Sequence, residues 1–134
     1  MIEIKPMKNL VLSISVLSLL LVAPLAAQKE EPQHKLVQFQ MAVLKKGPKW
    51  ATISAEDRGR IRQQHLDNVL AMLDAGKMII AGPFGDDGEL RGIFVFRVSS
   101  LKEAQDLCAT DPMVKVNRLA VELHPWRVPE GVLP

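Results

Sequence analysis

Val37, Phe39, Met41 and Val43 alternate with Gln38, Gln40 and Ala42, and a period of two predicts a strand with one buried face. The stretch "KKGPKW" (45–50) breaks the alternation. Ser54, with Asp57 three residues later, has the form of a helix start in which side chains satisfy the free backbone N–H groups. Ile61, His65, Leu66, Val69, Leu70 and Leu73 then recur at helical spacing as far as Gly76, a natural C-terminal stop. "KMIIAGPF" (77–84) is a short apolar strand closed by Gly-Pro, "GDDG" (85–88) a turn, and "LRGIFVFRV" (90–98) a returning strand. The pair predicts a hairpin with a loop of about four residues. Ser100 with Glu103 opens a second helix that carries Leu101, Ala104, Leu107 and Cys108 on one face. An Asp-Pro step inside "LCATDPMVKVNRL" (107–119) starts a further helical turn, since the carboxylate caps N–H groups and proline sits where none is needed. "RLAVELHPW" (118–126) is a last strand with Leu119, Val121 and Leu123 on one side.

The order βαββαβ predicts a ferredoxin-like α+β sandwich: a four-stranded antiparallel sheet with two helices on one face. The third strand adds a constraint. Phe94, Phe96 and Val98 point one way, and Ile93 and Val95 the other, so both faces of the sheet are apolar. Helices cover only one of them, and a second subunit packed sheet on sheet is the simplest cover for the other. A homodimer is therefore expected.

Composition changes the picture mainly at the N-terminus. Lys5 and Lys8 precede an apolar run from Leu10 to Ala23, and "PLAA" leads to the polar "QKEEPQHK". A basic start, an apolar stretch of this length and a small-residue exit describe a secretory signal peptide. Residues 1–27 are expected to be removed after Ala27, with Met7 an alternative start; the run is short for a membrane anchor. The remaining residues 28–134 form one domain, periplasmic or secreted, with no membrane contact once the signal is cleaved. The formal net charge of the whole chain is +2; Lys5, Lys8 and Glu3 depart with the signal, so the exported domain stays near neutral. Neither a nucleic-acid partner nor a charged membrane surface is implied. The single cysteine, Cys108, cannot form an internal disulfide and reads as a buried helix residue.

Candidate chemistry centres on one histidine. His65 lies in the apolar stripe of the first helix, with Ile61 and Val69 four residues to either side. It is either a half-buried histidine satisfied locally or a general acid/base, because its unperturbed pKa of about 6.5 lies near working pH. Such a base needs a partner to fix its tautomer, and Asp111 is the natural candidate, though spacing alone leaves it equally a plain N-cap. Lys45, Lys46, Lys49 and Trp50 read more simply as an exposed basic loop than as the cover of a pocket. Arg62 and Arg91 suit solvated faces as well as an anionic ligand. His124 alternates away from Leu123, toward the face between sheets. His65, Asp111 and His124 lack the spacing of a metal motif, and no phosphate loop or nucleophile elbow is present, so neither a metal nor a cofactor is expected.

Together "RQQHLDNVLAMLDAGKMIIAGPF" (62–84), "DDGELRGIFVF" (86–96) and "SLKEAQDLCATDPMVKVNRLAVELHPW" (100–126) resemble the YCII-related family. That family shares a helix-borne histidine, a Gly-Pro after the second strand, a glycine in the third strand and an Asp-Pro ahead of the last. The resemblance spans roughly residues 35 to 127 and implies a dimeric α+β barrel related in fold to muconolactone isomerase. It implies His65 and Asp111 as the catalytic pair, acting on a small, ring-type organic substrate by proton transfer or dechlorination without a cofactor. Members commonly carry glycine a few residues after the Asp-Pro, where this chain has Asn117; asparagine tolerates left-handed backbone next best, so the turn is expected to survive. The expected function is a lyase- or isomerase-type enzyme; the alternative is a non-catalytic dimeric module that binds a small ligand. An enzyme needs His65 and Asp111 within about 3 Å, or bridged by one water, beside an open cleft.

Overall fold

The computed structural model describes residues 34–134, and the expected signal peptide, residues 1–27, lies outside them. Four strands, β1 (Leu36–Lys46), β2 (Met78–Pro83), β3 (Leu90–Phe96) and β4 (Leu119–Pro129), form one sheet in the order β2-β3-β1-β4. All three pairings are antiparallel. With α1 (Ala55–Asp74) and α2 (Leu101–Ala109) between them, this is the ferredoxin-like α+β fold. The Asp-Pro step adds a single turn, α3 (Pro112–Lys115), before β4. Among the described residues no helix is long and apolar enough to cross a membrane.

Local chemistry sets the ends of the elements. Ser54 Oγ accepts from the Asp57 N–H at the start of α1, and Ser100 Oγ accepts from the Glu103 N–H at the start of α2. Gly76, at φ 69°, ends α1 in left-handed backbone. β1 and β4 pair from Leu36 opposite Pro129 to Lys46 opposite Leu119. β4 thus runs three residues past the expected "RLAVELHPW", through Pro125 and on to Pro129; an edge strand tolerates proline because one row of its N–H groups has no neighbour to bond. The β2–β3 connection is Phe84–Glu89, longer than expected, since Pro83 closes β2 and pairing resumes only at Leu90.

Both faces of the sheet are apolar, as the alternation of Phe94 and Phe96 with Ile93 and Val95 in β3 implied, but β1 departs from its own pattern. Ala42 and Leu44 of β1 face the helices and are fully buried with Met72, Met78, Phe94, Phe96, Ala104, Cys108 and Leu119. Phe39, Val95 and Val128 form a second cluster on the opposite face, flanked by Met41, Ile80, Ile93, Trp126 and Leu133. Met41 and Val43 are only half-buried. Alanine reads as neutral in a hydropathy pattern, yet it suits the middle of β1, where helix and sheet approach closely. α1 likewise buries Ile61, Val69 and Met72, whereas Leu66 and Leu70 are 43% and 57% exposed. Ile61, His65, Val69 and Met72 make one row of i, i+4, i+8 and i+11; Leu66 and Leu70 lie about 100° further round the helix.

Candidate active site

His65 belongs to the buried row of α1, and its ring stacks over Phe94 of β3, with centroids 6.1 Å apart and planes at 26°. Its side chain is 16% exposed. Asp111 arrives from the other side. α2 ends at Thr110, and Pro112 supplies the first residue of α3 at a position where no N–H is required. Asp111 is the N-cap of that turn, in extended backbone, with its carboxylate wholly buried. Oδ1 accepts from the Met113 N–H at 2.8 Å, and Oδ2 lies 2.6 Å from His65 Nδ1. One oxygen caps and the other contacts the imidazole, so a cap and a contact with His65 coexist in one carboxylate. An ionised carboxylate only accepts, so it would take a hydrogen bond from Nδ1–H, and in the neutral ring of that tautomer Nε2 holds the lone pair.

His65 lines a cavity of about 430 Å³. Leu44, Leu66, Val69, Phe94, Met113 and Leu119 supply apolar wall, and Ala81 to Pro83 of β2 form one side. Trp50 covers another. Its loop is tied to the turn before β4: the Gly47 N–H donates to the Arg118 carbonyl at 2.8 Å and the Lys49 N–H to the Asn117 carbonyl at 2.9 Å. A Cβ at position 47 would lie 2.3 Å from the Asn117 oxygen, so only glycine permits this approach. Asn117 adopts φ 58°, the left-handed conformation in which glycine was expected and asparagine was tolerated.

Arg58, Arg62, Arg91 and Arg118 also line the cavity. The Arg118 guanidinium lies 4.0 Å from the Trp50 ring centre, and its Nη1 donates to the Trp50 carbonyl at 2.5 Å. Arg91 and Lys46 lie 5.4 Å and 5.8 Å from the same ring centre. Burial lowers the pKa of Arg118 from the usual arginine value, and the nearby Arg58 charge adds to the shift.

The sequence expectations sort clearly against this geometry. His65 and Asp111 are in contact beside an open cavity. Trp50, Arg62 and Arg91 face that cavity; Pro48, Lys49, Ala51 and Thr52 are exposed, as expected of the loop, while its backbone bonds to residues 117 and 118 bring Trp50 against the cavity. Lys45 points to the far face of the sheet, where it pairs with Glu122. His124 lies on that face too, bonded to Glu122 at 2.9 Å, and among the described residues no group of acidic, His or Cys side chains could hold a metal ion. Cys108 is buried on the inner face of α2, and burial, followed by the Asp111 charge, pushes its thiol up to about 12. Arg58 and Arg118 escaped the sequence reading: Arg58 sits among polar neighbours, and nothing in a linear pattern shows that β4 begins against Trp50.

The family described as YCII-related domain matches residues 37–127. No curated protein matches the chain. The solved structure of 5-chloro-2-hydroxyhydroquinone dehydrochlorinase from Burkholderia phenoliruptrix AC1100, in complex with 2,5-dihydroxybenzoquinone, is similar at 21% identity and a TM-score of 0.49, over 66% of this chain and 92% of that chain.

Proposed function

The chain belongs to the YCII-related domain family, and from that premise we propose that it is an exported, homodimeric enzyme that moves a proton on a small organic substrate. The observation that carries this reading is the 2.6 Å contact between His65 and a fully buried Asp111 at the wall of a cavity. In the proposed step the Nε2 lone pair of His65 takes a proton from a carbon next to a carbonyl. The C–H bonding electrons move into the carbonyl, and Asp111 stabilises the imidazolium that results. The same proton returned at another carbon completes an isomerisation; loss of an anion from the neighbouring carbon completes an elimination. Neither outcome calls for an oxidant or reductant. The dimer would form through the sheet face that carries Ile93, Met41 and Trp126, which the helices leave free. Export follows from residues 1–27, whose basic start and apolar run suit a cleaved signal.

Exchange into D2O, followed by proton NMR on a panel of small cyclic ketones and lactones, tests the chemistry without a known substrate. The protein should catalyse deuterium entry at the acidic carbon, and H65Q should lose at least about a hundredfold of that rate, the usual weight of a positioned acid/base. Equal exchange by H65Q, or none by the unaltered protein on any of the panel, contradicts the proposal and favours a pocket that only binds.

A further inference from the structure

The cavity carries positive charge without a counter-charge. Arg58, Arg62, Arg91 and Arg118 line it, and no aspartate or glutamate does. Among the described residues none of these four arginines is in a salt bridge. Two of them are fixed in place by carbonyls, which orient a guanidinium but do not neutralise it. Arg118 is 8% exposed and donates through Nη1 to Trp50, and its Nε is buried without a partner. Arg91 donates through Nη1 to the carbonyls of Asp86 and Gly88, at 2.8 and 3.1 Å, and its Nε is also buried and unpartnered. Both lie over Trp50. A buried charge with open donors is costly unless something supplies the opposite charge.

We propose that the Trp50 end of the cavity is an anion subsite that takes the carboxylate of a small, ring-sized organic acid, held by Arg91 and Arg118. The apolar wall of Leu66, Val69 and Phe94 would take the hydrocarbon body of that acid, and this body distinguishes it from free phosphate, which would remain hydrated. Nη2 of each guanidinium makes none of these carbonyl bonds and is the group that would donate to a carboxylate oxygen. This inference rests on the proposed function in placing the acid's carbon skeleton beside His65, and it names the substrate class for that site.

Calorimetric titration of the protein with benzoate, with its neutral counterpart benzamide and with inorganic phosphate tests the subsite. Benzoate should bind at least about tenfold more tightly than benzamide, and the difference should shrink as salt is raised. R91Q and R118Q should each lose about tenfold or more in benzoate affinity, with benzamide little changed. If R118Q does not fold, R91Q carries the test, since its side chain is held from the β2–β3 loop. Benzoate affinity is read without any proton transfer, so a failed exchange assay leaves this result standing, and the reverse also holds. Benzoate binding no tighter than benzamide, an R91Q variant with unchanged affinity, or phosphate competing as well as benzoate at equal ionic strength would overturn the inference.

Discussion

Replacing Asp111 separates the two jobs of one carboxylate. In D111A both bonds vanish: the 2.8 Å bond from the Met113 N–H and the 2.6 Å contact with His65 Nδ1. Losing an N-cap costs about 1 kcal/mol, and losing a hydrogen bond to a charged group about 1.5–3 kcal/mol. The side chain is wholly buried, so no water easily replaces it, and D111A should lose about 3 kcal/mol, a large share of a typical 5–15 kcal/mol. D111N keeps one acceptor. Its amide oxygen can still cap Met113, but its NH2 then faces His65 Nδ1, which must become an acceptor. The fold should survive at a cost of about 1 kcal/mol, while the ring is forced into the opposite tautomer. Urea denaturation followed by circular dichroism gives both costs. D111A within about 0.5 kcal/mol of the unaltered protein, the usual range of a surface change, would refute the reasoning, as would D111N as damaging as D111A.

Three further outcomes are expected. Ile93 is half-buried on the helix-free face, so I93D should lower the mass seen by light scattering from dimer to monomer while the fold is kept; a monomeric unaltered protein contradicts the sheet-on-sheet dimer. Mass spectrometry of the protein from its native cell should find a chain beginning at or near Gln28, and an intact N-terminus contradicts export. Burial pushes the Cys108 thiol up from 9.0 to about 12, so the folded state retains a proton that the unfolded state releases between those values. Its contribution to stability is complete below pH 9 and is lost as pH rises toward 12; urea midpoints of the unaltered protein should therefore fall more steeply than those of C108A over that range, and parallel curves contradict the burial.

The order of elements was legible because each had local punctuation: Ser54, Gly76, Ser100 and the Asp-Pro step all act on their own backbone. Asp111 could be named as the partner of His65 from the family's pattern, but their 2.6 Å contact depends on how α1 packs against α3, a tertiary fact with no linear trace. The same limit hid Arg118. Its neighbour Asn117 announced a tight turn, yet only the pairing of that turn with Gly47 brings Arg118 under Trp50. Hydropathy also misjudged Ala42 and Leu70, one small enough to be packed tightly and the other long enough to extend from the flank of α1. The apolar second face was visible in Ile93 and Val95, because a strand's period of two assigns sides without knowledge of the neighbours.

The tautomer of His65 tests the central claim most directly. If Asp111 holds Nδ1–H, the neutral ring carries its proton on Nδ1 and offers Nε2 as the base, opposite to the form that predominates in free histidine. Long-range proton–nitrogen NMR correlation on the labelled protein, at a pH where the ring is neutral, reads this from the two nitrogen shifts. The account predicts a protonated Nδ1 in the unaltered protein and a protonated Nε2 in D111N. A protonated Nε2 in the unaltered protein would contradict it, for His65 would then have no lone pair to turn on a substrate.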